Sequence, residues 1–244
     1  MTPWIQVVGL EWRPELRFFE VRRPLLQELE ARKLMTHFNW AVDFVIVRIG
    51  DHAAVRIAPN GATAWIASPK EGTDRVREVL RATFSALRPD HVALSPSRVR
   101  CLAPIALDAE AAQRQTALGV VGRIWPEAHA TDWALLVDAT SDRLQAKFQV
   151  EYGVVRPEEV RQRYTGLGVR IGPLQMPVPP DLSGLPASSV FLDWYWPETV
   201  AVKGDSLEGV VARWDGLLAE SVRLSLEICN QIIPGYTKGE EKRA

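Results

Sequence analysis

Over residues 144–152 the chain alternates without a break. Leu144, Ala146, Phe148, Val150 and Tyr152 are apolar or aromatic, while Gln145, Lys147, Gln149 and Glu151 are polar. Successive side chains of a strand point to opposite faces, so this period predicts a strand with one buried and one wet face. Residues 4–12 predict a first strand, ended by Arg13-Pro14. Residues 38–49 are β-branched and aromatic and predict one long strand, turned by Gly50-Asp51. Short strands at 55–57 and 64–66 flank Asn60-Gly61, a hairpin signal. Further strands are expected at 99–105, 133–137, 166–171 and 190–196.

Helical spacing fills the intervals. Leu25, Leu26 and Leu29 form an apolar face up to about residue 34, with Pro24 in the first turn, where a helix tolerates proline. Val76, Val79, Leu80, Phe84 and Leu87 recur at helical period behind Thr73 or Asp74 as cap, and the pattern stops before Arg88-Pro89. Asp108 can cap a helix to about residue 121, and residues 157–163 predict a short one. Asp205 and Glu208 loosely fit a capping box opening the longest helix, with Val210, Trp214, Leu217, Leu218, Ser221, Ser225, Ile228 and Ile232 on one face. Pro234-Gly235 ends it, and residues 176–186 form a proline-rich loop.

The order strand, helix, about three strands, helix therefore occurs twice, over residues 1–97 and 98–236, before a polar tail at 237–244. Tight turns between strands, with helices at the ends of each run, predict an α+β fold. Two similar halves would pack as one unit, with mostly antiparallel sheet and helices upon it.

Composition narrows the function classes. The 244 residues are 47% hydrophobic and 24% charged, ordinary for a globular protein. Lys and Arg number 29 against 30 Asp and Glu, so the net charge of −1 supplies no overall pull on nucleic acid or an anionic membrane. No run approaches the roughly 18 apolar residues that span a bilayer. The start, Met1-Thr-Pro-Trp-Ile5, lacks the basic flank of a signal peptide, and a cytoplasmic location is expected. Cys101 and Cys229 sit in apolar stretches and read as buried thiols. His37, His52, His91 and His129 lack ligand spacing, so no metal or other cofactor is expected.

Few motifs carry chemistry. Gly166-Leu-Gly168 lacks the third glycine and following helix of a dinucleotide loop and reads as a turn. Asp138 followed by Gln145-x-Lys147 has the order of a restriction-enzyme-like Mg²⁺ nuclease. There, acidic groups hold the cation and the lysine meets charge developing at phosphate. Glu110 would add a ligand, and the alternation places Gln145 and Lys147 on one strand face. The same residues also suit a solvated face, and Gln brings no charge. Asp43 and Asp193 interrupt apolar strands and are expected to point outward, since unpaired Asp is rarely buried.

The chain has nine tryptophans, and Trp is enriched at binding hot spots. Trp194 and Trp196 share a strand face, with Asp193 and Tyr195 on the other, so either helices cover both faces or one receives a partner. Arg13, Arg17, Arg22, Arg23, Arg32 and Lys33 make the first helix region basic, but Glu11, Glu15, Glu20, Glu28 and Glu30 interleave with them as on a solvated face. Nucleic-acid binding is thus not favoured.

This plan, with Phe191-Leu-Asp-Trp-Tyr195 and a closing helix bearing Leu217, Leu218, Leu224 and Ile228, resembles a sporadically distributed, uncharacterised family of prokaryotic proteins of similar length. The resemblance implies mobile or defence-associated genes and brings no catalytic residues. The expectation is a non-enzymatic adaptor or regulatory subunit that binds another protein through an aromatic sheet face, with Asp193, Trp194, Tyr195 and Trp196, or through the last helix. The alternative is the Mg²⁺-dependent nuclease built on Asp138, Gln145 and Lys147.

Overall fold

Antiparallel pairing needs only short connections, and this chain is rich in them. In a computed structural model that describes residues 3–67, 69–105, 133–160 and 188–232, all strand pairings are antiparallel and join one ten-stranded sheet. The elements in chain order are β1 (Pro3–Glu11), α1 (Phe18–Ala31), β2 (His37–Trp40), β3 (Val45–Ile49), β4 (Ala53–Ala58), β5 (Gly61–Ile66) and α2 (Pro69–Leu87). They continue with β6 (Ala93–Ile105), β7 (Trp133–Ser141), β8 (Ala146–Val155), β9 (Ser188–Trp196), β10 (Val200–Ala201) and α3 (Leu207–Ile232). The fold is α+β, as expected.

Strand order is β2-β3-β4-β5-β1-β6-β9-β8-β7, and β10 pairs with β6 beyond β9. Thus β1 lies beside β5, and β6 lies beside β9. The expected boundary at 97/98 falls inside β6, which pairs with β1 from Ala93 to Cys101. The helix expected at 108–121, the strand at 166–171, the loop at 176–186 and the tail at 237–244 lie outside the described residues.

Helices α1, α2 and α3 pack on one sheet face. Val8 and Leu10 of β1, Val47 of β3, Val55 of β4 and Leu192 of β9 join Leu25 and Leu29 of α1, Leu80 of α2 and Trp214 of α3 in the main core. Residues at intervening positions face the other way, because a strand alternates. There Ile5, Leu102, Val155 and Phe191 form a second apolar cluster, and Ile46 packs with Trp65 in a third. No helix among the described residues is long and apolar enough to cross a membrane.

Several local expectations are corrected. Residues 38–49 form a hairpin, because Ala41 N donates to Phe44 O at 2.9 Å and closes a turn whose tip is the exposed Val42. Helix α1 begins well before Pro24, which sits inside it. Gly61 opens β5 after the Pro59-Asn60 turn. A Cβ there would come within 2.3 Å of Leu10 O, so the glycine serves the close approach of β1. Ser206 caps α3, accepting from Gly209 N at 3.1 Å, while Asp205 accepts from Val92 N at 2.7 Å and anchors the residue that leads into β6.

Candidate functional site

Trp194 and Trp196 point toward α3 and are buried. The Trp194 indole donates to Ser225 Oγ at 2.8 Å, and the Trp196 indole donates to Ser221 Oγ at 3.1 Å. Both serines lie on the buried stripe of α3. Their small side chains let the helix approach, and their hydroxyls satisfy ring N–H groups that burial would otherwise leave unpaired. Phe148 of β8 packs against both indoles, with ring centroids 5.3 and 5.5 Å away. The helix therefore occupies this aromatic face.

Asp193 and Tyr195 occupy the opposite face. Contrary to expectation, Asp193 is buried, with only 8% of its surface exposed. It stands across from Arg100 on β6 and Glu151 on β8. Its Oδ2 accepts from Arg100 at 2.8 Å and lies 3.5 Å from Arg98, while its Oδ1 has no hydrogen-bond partner among the described residues. Burial raises its carboxyl above the usual range, the Arg100 and Arg98 guanidiniums pull it back, and Glu151 pushes it up again. Arg98 also lies over the Tyr195 ring, 5.4 Å from its centroid.

Arg98 and Tyr195 belong to a cross-strand row that spans nine strands. It runs His37, Arg48, Ala54, Trp65, Val7, Arg98, Tyr195, Gln149, Asp138. Its basic members lie on β3 and β6, and its carboxylate lies on β7. Asp138 is exposed and accepts from Gln149 Nε2 at 3.1 Å, with Lys147 diagonally placed on the same face. Gln145 does not join them. It sits in the β7–β8 turn at φ 49°, and its amide donates to Asp142 O at 2.6 Å. Glu110 lies outside the described residues. Among the described residues no three His, Cys, Asp or Glu side chains converge as a metal ion requires. Asp43 is exposed in the β2–β3 turn. A shallow cavity of about 360 Å³ between the β3–β4 turn and α2 is lined by Asp51, His52 and Arg75 without a convergent set.

A different surface gathers binding chemistry. Phe38 and Trp40 share one face of β2 at the end of the described sheet. Their rings meet edge to face with centroids 6.3 Å apart. Arg22 of α1 reaches over, donating to Val42 O at 2.9 Å and Ala41 O at 3.2 Å. Its guanidinium lies 5.5 Å from the Trp40 ring centroid and 5.9 Å from that of Phe19. Trp40 remains 49% exposed and Val42 81% exposed, with Phe19 and Phe38 about two-fifths exposed. The other tryptophans with described side chains, Trp12, Trp65, Trp194, Trp196 and Trp214, are all buried.

The residue pattern singles out Trp194 and Trp196, which are buried, while Trp40 is the half-exposed one. The available signal was the recurrence of Phe38 and Trp40 on one strand face beside an Arg-bearing helix. It is masked because three of the four turn residues after Trp40, Ala41, Val42 and Phe44, are apolar. Compared with known proteins, the chain matches no family model and no curated sequence.

Proposed function

We propose that the chain is a non-enzymatic adaptor or regulatory subunit that binds another protein at the aromatic edge formed by Phe19, Phe38, Trp40 and Val42 around Arg22. The observation that carries this reading is the half-exposed Trp40, held between Arg22 and Phe38. Trp and Arg are the side chains most enriched where binding energy concentrates. Exposed aromatic side chains gathered in one place mark interaction sites more often than scattered ones do. Arg22 fixes the turn through two backbone carbonyls, so the patch is ordered before a partner arrives. The opposite edge strand of the described sheet, β7, exposes Leu136 and Val137. The setting implied by the family resemblance, a prokaryotic defence or mobile-element system, belongs to the same proposal.

Affinity purification of the full chain from its native host, beside a Phe38→Ala/Trp40→Ala variant, tests this reading. A partner retained by the parent and lost from the folded variant is expected. A partner held equally by both, or no partner at all, overturns it.

A further inference from the structure

We infer that the edge of β2 that no described strand covers takes up an extended segment of the partner as an added strand, with apolar side chains over Phe38 and Trp40 and acidic side chains toward His37 and Arg48. The inference rests on the aromatic edge being the partner-binding surface and names what seats there.

The backbone is the first argument. Ala41 N donates to Phe44 O, so 41 and 44 form a hydrogen-bonded pair of the β2–β3 ladder. Such pairs alternate along an antiparallel ladder, which puts Asn39 and His37 in the inward set as well. The N–H and C=O groups of Phe38 and Trp40 then point away from β3, and no described strand pairs with them. Proteins usually blunt an open edge with Lys or other charges, Pro, bulges or very short strands, and of these β2 has the short length, four residues. The segment His37-Phe38-Asn39-Trp40 has neither Lys nor Pro.

Charge is the second argument. An added strand alternates its side chains, so it meets two different surfaces. On one it finds Phe38 and Trp40. On the other it finds His37 and Asn39, backed by Arg48 and Arg56 at the cross-strand positions of β3 and β4. Asp51 holds Arg48 Nη2 at 3.3 Å from the β3–β4 turn, and Asp43 sits exposed in the β2–β3 turn. No carboxylate lies among the residues of β2, β3, β4 or β5 themselves. A segment with Glu or Asp at every second position is attracted there, and one with Lys at those positions is repelled.

Two labelled synthetic heptapeptides with blocked ends serve as probes against the full chain. One alternates Val with Glu and the other alternates Val with Lys; fluorescence anisotropy reads binding. The Glu peptide is expected to bind at least tenfold more tightly than the Lys peptide and to weaken with added salt. Trp40→Pro, which removes only an outward N–H and the ring, should abolish binding, and Trp40→Ala should weaken it less. A Glu peptide N-methylated along one edge should fail against the unaltered protein, which keeps the test valid if Trp40→Pro misfolds. Equal binding of both peptides, or full binding of the methylated one, overturns the inference. If Ala and Pro at residue 40 act alike, side chains alone hold the segment, and added-strand pairing falls while the aromatic surface stands. A chain that sediments as a dimer dissolved by Trp40→Pro gives the edge to a second copy and also overturns it. Binding of neither peptide overturns it too, while the host purification judges the underlying surface separately.

Discussion

The indole N–H of Trp194 on β9 donates to the hydroxyl of Ser225 on α3 at 2.8 Å, with both groups buried. This bond and its neighbour from Trp196 to Ser221 tie the last helix to the middle of the sheet. Replacing Ser225 with Ala leaves a buried donor unpaired. The expected cost is about 1–3 kcal/mol, read as a lower midpoint in urea unfolding. Trp194→Ala should cost about 3–5 kcal/mol, since it also opens a cavity beneath α3. An unchanged midpoint in both variants would mean that α3 does not rest on β9.

The Arg100–Asp193 pair is buried on the opposite face. Removing one partner strands the other, so Asp193→Ala should destabilise by about 3–5 kcal/mol. Arg100→Met with Asp193→Leu should recover most of that loss, because neither charge then remains to be desolvated. Burial holds the Asp193 carboxyl above its ordinary 3.8, so the folded chain keeps this proton longer than the unfolded one. Its contribution to stability therefore falls as pH rises from 3.8 through the higher folded value. Asp193→Asn should remove that slope in pH-dependent unfolding.

Glu220 works in the opposite sense. Its carboxylate accepts from Ser141 Oγ at 2.7 Å and from Arg223, linking the end of β7 to α3. The hydrogen bond from Arg223 leads in holding its carboxyl below the ordinary 4.5, helped by Ser141 and opposed by burial. The unfolded chain takes up this proton first as pH falls. The contribution is thus fully present above 4.5 and is lost as pH drops through the lower folded value. Glu220→Gln should cost about 2 kcal/mol at pH 7. The gap between parent and variant should close through the acid limb, and a gap constant with pH would refute this role.

Cys101 is buried beneath α3, and desolvation pushes its thiol up to about 12, with a hydrogen bond from Ser225 in partial opposition. Cys229 is also buried. A thiol reagent at pH 8 should find neither in the folded chain and both after denaturation. Fast reaction of one thiol in the native state would show that α3 lifts from the sheet.

Much of the architecture is legible in the residue pattern, and the exceptions have physical causes. Strand β8 announces itself because Ala146, Phe148 and Val150 face a core while Lys147 faces water. The β2–β3 hairpin hides because its turn is closed by a backbone bond between Ala41 and Phe44 rather than by Gly, Pro or Asn. The choice between tryptophans was beyond local pattern. Trp194 and Trp40 both sit in aromatic strands, but Ser221 and Ser225 of α3 close over β9, whereas Arg22 of α1 reaches the Trp40 ring and leaves it half exposed. Asp193 likewise reads as an outward residue until β6 brings Arg100 across from it.

The central claim is that a partner protein seats on the aromatic edge around Trp40. Its most direct measurement is photo-crosslinking in the native host, with p-benzoylphenylalanine placed at the exposed Val42 and, as a control, at the exposed Lys203. A discrete protein adduct from position 42, absent from position 203 and abolished by Trp40→Ala, is the expected result. The same adducts from both positions, or an adduct at 42 that survives loss of the Trp40 ring, would contradict the account.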